Sequence, residues 1–170
     1  MIENISLKMA KVLKDKSEHP ASEAVLSYSI QLIINTASIL ISTMILGIIN
    51  GRFIEVLLAL VSFAVLRQVS GGYHLKSGVL CIIVSTLLIT LLSFASLDQT
   101  QCLILNCISL FLVVIFSPSI IERQTRISPK YFRWFKIGSI LLVLSSFMML
   151  NPVVTASFFV QALTLIRWRG

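Results

Sequence analysis

Acidic side chains are scarce in this chain of 170 residues. Seven Asp and Glu stand against fourteen Lys and Arg, and charged residues of both signs make up only 12%. With 56% of residues hydrophobic and a mean hydropathy of +0.94, so little charge excludes an ordinary soluble domain. It also excludes disorder, because disordered chains are rich in charge and poor in apolar side chains. The three cysteines, Cys81, Cys102 and Cys107, lie inside apolar runs and form no secreted disulfide framework. The N-terminus lacks a signal-peptide shape, since charged and polar residues run to Glu23 and the apolar run that follows is too long for an h-region. No phosphate-loop pattern and no nucleic-acid motif accompany the basic residues, and neither a metal nor another cofactor is expected. What remains is an all-α, polytopic integral membrane protein forming a single membrane domain.

The chain divides into a leader at 1–23, membrane helices over 24–166 and a tail at 167–170. In the leader, Ile2, Ile5, Met9 and Val12 recur at helical spacing, with Lys8, Lys11, Lys14 and Lys16 beside them. That pattern suits an amphipathic helix on an anionic inner leaflet, with membrane lipids as its partner; a solvated basic tail is the plainer alternative. About six hydrophobic segments follow, at 24–49, 53–66, 79–97, 101–121, 137–150 and 153–166. The last two are either one long kinked helix or two short spans split at Asn151-Pro152. Each 14-residue segment reaches only ~21 Å as a helix against ~30 Å of hydrocarbon, so some are short or re-entrant.

Charge favours six segments over five. With the N-terminus inside, 13 of the 14 basic residues fall on the inner side and only Arg52 lies outside. Both termini are then cytoplasmic. A single 137–166 span would put Arg167 and Arg169 outside. Arg133, Trp134, Lys136, Arg167 and Trp168 read as interfacial anchors. The basic loop holding Arg123, Arg126 and Lys130 serves that topology, or in addition recruits an acidic partner.

The stretch from Arg67 to Cys81 is the unusual one. It contains Arg67, Gln68, Ser70, Gly71, Gly72, Tyr73, His74 and Lys76, and it ends on Cys81 at the start of the next span. A thiol and an imidazole together make an activated nucleophile: His takes the thiol proton, and the imidazolium stabilises the thiolate. In one straight helix His74 and Cys81 share a face but stand ~10.5 Å apart along the axis. Proton transfer needs ~2.6–3.2 Å. The His74 segment must therefore fold back, and Gly71, Gly72 and Gly78 are where a bend is cheapest. Arg67 and Lys76 could hold an anion, or simply snorkel. Gln68 or Ser70 could orient His74; no third catalytic residue is evident. The bland alternative is a packed cysteine and an interfacial histidine in a non-enzymatic transporter or peptide-handling module. Elsewhere, Gln31 and Asn35 are placed to tie the first helix to a neighbour, and Glu55 is either functional or a partner for Arg52.

The segment resembles the accessory gene regulator B family, membrane endopeptidases of Gram-positive peptide quorum sensing. The resemblance is carried by Arg67, then Gly71-Gly72-Tyr73-His74, then Cys81 seven residues after the histidine. Leu75 departs from it, standing where the family more often has a smaller residue. The resemblance implies that Cys81 is the nucleophile and His74 its base. It implies an AgrD-like propeptide as substrate, cut at its C-terminal tail through a thioester on Cys81 and closed into a thiolactone or lactone. It also implies a homodimer in a bacterial cell membrane.

Overall fold

The computed structural model describes residues 2–16, 22–72, 77–119 and 131–166. Among these, the regular structure is helical: α1 (Ile2–Lys16), α2 (Glu23–Ile49), α3 (Phe53–Ser70), α4 (Gly78–Leu92), α5 (Gln99–Phe116), α6 (Phe132–Met149) and α7 (Pro152–Leu163). Four of them, α2, α3, α5 and α6, are long and apolar enough to cross a membrane, and α4 and α7 are shorter apolar helices. The protein is an all-α polytopic membrane protein. Helices are what apolar runs must form in lipid, because the backbone donors and acceptors have no water to bond.

Several helix ends depart from the apolar runs, each for a physical reason. The run 53–66 continues as helix through Arg67 and Gln68 to Ser70, because both side chains are good helix formers and only Gly71 stops the helix. At α6 the helix starts at Phe132, ahead of the run beginning at 137, and carries Arg133, Trp134 and Lys136 in its opening turns. Helix α4 ends at Leu92 rather than 97. There Arg52 donates to the Ser93 carbonyl at 3.2 Å and its guanidinium lies 4.6 Å from the Phe94 ring centroid. Arg52 thus closes a helix end. The break at Asn151-Pro152 separates α6 from α7: the Asn151 carboxamide oxygen accepts from the amides of Val153 and Val154 at 3.0 and 3.2 Å. Pro152 takes the first helical position, where a missing N–H costs nothing.

The chain forms two compact units. One contains the described parts of residues 47–73 and 89–170. In it α5 packs on α6 and α7, and α3 packs on the same two helices. The apolar centre includes Leu66, Val113, Val143, Phe158 and Leu165. Small polar residues bind the helices where side chains are fully enclosed: the Ser146 hydroxyl donates to Asn106 Oδ1 at 2.8 Å, and the Ser117 and Ser139 hydroxyls lie 3.1 Å apart. Such bonds hold helices together in a medium where apolar contact alone gives little preference.

The other unit contains the described parts of residues 1–46 and 74–88. Helix α1 turns small residues inward, with Ser6 and Ala10 fully buried and Ser27 of α2 within 3.5 Å of the Ser6 hydroxyl. The stripe of Ile5, Met9 and Val12 stays exposed. That is the surface an interfacial helix presents to lipid.

Candidate functional site

Cys81 closes the first turn of α4. Its amide donates to the Ser77 carbonyl at 3.0 Å, while the Ser77 hydroxyl accepts from the Leu80 amide at 3.5 Å. Ser77 therefore caps the helix that carries the thiol. The side chain is buried, and its sulfur lies 3.9 Å from the Ser85 hydroxyl one turn along. The first turn of an α-helix is the positive end of its dipole, and Cys81 stands in that turn of α4.

Helix α2 reaches this helix start through Gly78. A Cβ at that position would lie 3.1 Å from both carboxamide heteroatoms of Asn35 and 3.2 Å from Gln31 Nε2. The absent side chain lets the two amides come close, and Gln31 and Asn35 do face a neighbouring helix as their spacing suggests. Asn35 is buried, and its Oδ1 has no hydrogen-bond partner among the described residues. A buried amide oxygen without a donor is costly, and it lies beside the turn that carries the thiol.

The glycine pair belongs to the other unit and is held on several sides. Gly71 ends α3 with φ 76° and ψ −151°, a region open essentially to glycine alone. Gly72 has φ 137°. Gly71 forms a parallel bridge with Ser119: the Ser119 amide donates to the Ser70 carbonyl at 2.9 Å, and the Gly72 amide donates to the Ser119 carbonyl at 3.3 Å. From α7, Gln161 Nε2 donates to the Gly71 carbonyl at 2.7 Å and approaches the Ser70 hydroxyl at 3.4 Å. The Ser119 hydroxyl donates to the Leu165 carbonyl at 3.2 Å.

The structure places the expected residues as follows. Arg67, Gln68 and Ser70 occupy the last turn of α3. Arg67 has its guanidinium carbon 6.0 Å from the Phe63 ring centroid; Gln68 is exposed; Ser70 is buried and donates to the Leu66 carbonyl at 2.7 Å. Gly71 and Gly72 are the clamped pair. His74, Lys76, Arg123, Arg126 and Lys130 lie outside the described residues. Cys102 is fully buried in α5, and Cys107 is exposed. Among the described residues, no three His, Cys, Asp or Glu side chains gather as metal ligands would.

Gln161, Thr164 and Ser119 were not legible as site residues from spacing. One signal was available for Gln161: it is the lone carboxamide in the apolar run 153–166, and a polar side chain in such a run has a task by default.

The family model described as Accessory gene regulator B matches residues 2–167. The chain is also similar to AgrB-like protein 2 of Clostridium perfringens (strain 13 / Type A), at 30% identity over 95 residues. That alignment covers 55% of this chain, and the chain spans 44% of the length of that relative. No solved structure matches.

Proposed function

This chain belongs to the accessory gene regulator B family, and from that premise we propose that it is a membrane cysteine endopeptidase that removes the acidic C-terminal tail of an AgrD-like propeptide. The observation that carries the reading is the position of Cys81. It is a buried thiol in the capped first turn of α4, seven residues beyond His74 and preceded by a glycine pair whose backbone only glycine adopts.

The chemistry then runs in two halves. His74 takes the proton from the Cys81 thiol, and the sulfur attacks the scissile carbonyl carbon. The oxyanion that forms lies near the positive end of the α4 dipole. When it collapses, the C–N bond breaks and the departing amine takes the proton from the His74 imidazolium, freeing the tail. The rest of the propeptide remains as a thioester on Cys81. An internal thiol or hydroxyl of the substrate attacks that thioester, its proton passes to His74, and a thiolactone or lactone leaves as the Cys81 thiol is restored. Holding the internal nucleophile near the thioester favours ring closure over hydrolysis.

The thioester gives the test. The probe is a synthetic propeptide with an amphipathic start, an acidic tail and its internal cysteine replaced by alanine. Incubated with membranes holding the wild-type chain, it is expected to leave an adduct of tail-less peptide on Cys81, visible by mass spectrometry and released by hydroxylamine. Tail release with no adduct on Cys81 at any time would overturn the thioester route.

The basic loop supports a second element of the reading. With both termini cytoplasmic, Arg123, Arg126 and Lys130 face the side where an acidic tail lies. Reversing all three to Glu is expected to raise KM for an acidic-tailed propeptide by about 10-fold and leave a neutral-tailed one within about 2-fold. Equal effects on both peptides would remove the steering role.

A further inference from the structure

We propose that Asn35 binds the propeptide backbone: its carboxamide oxygen accepts the N–H of a peptide group within two residues of the bond that Cys81 cuts. The inference rests on the endopeptidase reading above and extends it to α2, a helix which that reading does not use.

Asn35 stands near the middle of the apolar helix α2. It is 6% exposed, and its Oδ1 has no hydrogen-bond partner among the described residues. Buried polar groups are nearly always bonded, because an unmet acceptor costs free energy; one that stays unmet calls for a donor. The place of this acceptor is set by Gly78, the first residue of α4. A Cβ there would lie 3.1 Å from Asn35 Oδ1, so the carboxamide rests against the helix start itself. Cys81 is three residues further on. At that spacing the two positions share a helical face, ~4.5 Å apart along the axis. The described parts of α4 up to residue 88 and of α2 up to residue 46 belong to one compact unit, so acceptor and thiol are carried together.

The chemistry of the acceptor names its ligand. A carboxamide oxygen takes an N–H and repels an anion, so neither an acidic side chain of the tail nor a phosphate suits it. A peptide backbone supplies the N–H. Gln31, one turn away on α2, brings its Nε2 within 3.2 Å of the same Gly78 position. A donor and an acceptor directed at one place match the C=O and N–H that a single residue of an extended peptide presents on one side. Two residues of extended chain reach ~7 Å, enough to span the turn between Gly78 and Cys81. That distance fixes the bonded N–H within two residues of the cleaved bond.

The test uses the full chain in membranes and a synthetic propeptide with an amphipathic start, an internal cysteine and an acidic tail. In a set of derivatives each backbone N–H within two residues of the cleaved bond, that bond excepted, is replaced in turn by an ester oxygen. Asn35→Leu keeps the volume and loses the acceptor. With rates normalised to inserted protein, one ester derivative is expected to lower kcat/KM for tail release about 10-fold in wild type and less than about 2-fold in Asn35→Leu, whose kcat/KM for the all-amide peptide is itself about 10-fold down. The thermal stability of Asn35→Leu is expected to match or exceed that of wild type, because an unmet buried acceptor has gone. A merely structural Asn35, bonded to water or to this chain, would lower stability on replacement and leave every ester effect as it is in wild type; that result overturns the proposal. Should Asn35→Leu fail to insert, the same comparison is made with Asn35→Ala, and a wild type indifferent to every ester overturns the proposal without any variant. Either result keeps the endopeptidase reading, since wild type still releases the tail. Absence of tail release by wild type itself removes both.

Discussion

Cys81→Ala is expected to abolish tail removal, lowering the rate by at least ~10³-fold, because the proposed thioester forms on its sulfur. A loss of that size is ~4 kcal/mol of transition-state stabilisation. His74→Ala is expected to lower it by ~10²- to 10⁴-fold, the range for a general acid–base that must serve both halves of the reaction. Packing does not supply such effects: trimming the buried Cys81 to Ala removes one atom beside Ser85 and costs about 1 kcal/mol of stability. The other cysteines are the controls. Cys102→Ala empties a fully buried site and Cys107→Ala alters an exposed one, and neither is expected to change tail release per inserted molecule. The measurement is mass spectrometry of an acidic-tailed propeptide co-expressed with each variant. A tail lost equally with wild type, Cys81→Ala and His74→Ala would break the catalytic assignment.

Gly72→Ala is expected to be the most damaging substitution outside the reacting pair. Two effects combine there. At φ 137° an L residue is strained by ~1–3 kcal/mol. The new Cβ would also lie 2.8 Å from Thr164 Oγ1, closer than real methyl groups approach an oxygen. Tail release is expected to fall by more than ~10-fold, because Gly72 stands two residues before the proposed base His74. The double variant Gly72→Ala/Thr164→Ala separates the causes. It removes the contact and keeps the strain, so it is expected to recover only part of the rate. Gly51→Ala is the comparison: φ is 64° and, among the described residues, no atom beyond its chain neighbours lies within 4 Å of an added Cβ, so the strain is about 1 kcal/mol and tail release is expected to stay as in wild type. Full recovery in the double variant would show that the contact alone matters, and wild-type activity in Gly72→Ala would deny the glycine pair its role.

Much of the fold is legible in the sequence, and the places where it is not share a cause. Counting apolar residues locates α2 well, because that helix begins and ends where the hydrophobic run does, whereas α5 ends at Phe116, five residues short of the run 101–121. The same count stops α3 at Leu66 and starts α6 at Ile137, yet both helices carry charged side chains in their terminal turns. Lipid contact sets the apolar run; hydrogen bonding sets the helix, and it continues through Arg67 and Gln68 until Gly71 ends it. Arg52 illustrates the opposite case. Its spacing suggests a partner at Glu55, three residues on, whereas the guanidinium reaches Ser93 and Phe94 forty-odd residues away.

The sequence by itself determined that this is an all-helical membrane protein, where its apolar segments lie, and that Cys81 follows His74 by seven residues behind a glycine pair. Those are consequences of local composition and spacing: lipid forces apolar runs into helices, and a motif is a distance along the chain. Only the tertiary structure decided what holds that glycine pair. Gln161, Thr164 and Ser119 meet Ser70, Gly71 and Gly72 across 47 to 92 positions of sequence because α3, α5 and α7 pack together. A hydrogen bond of that span leaves no periodicity, since either partner alone reads as one polar residue in an apolar helix.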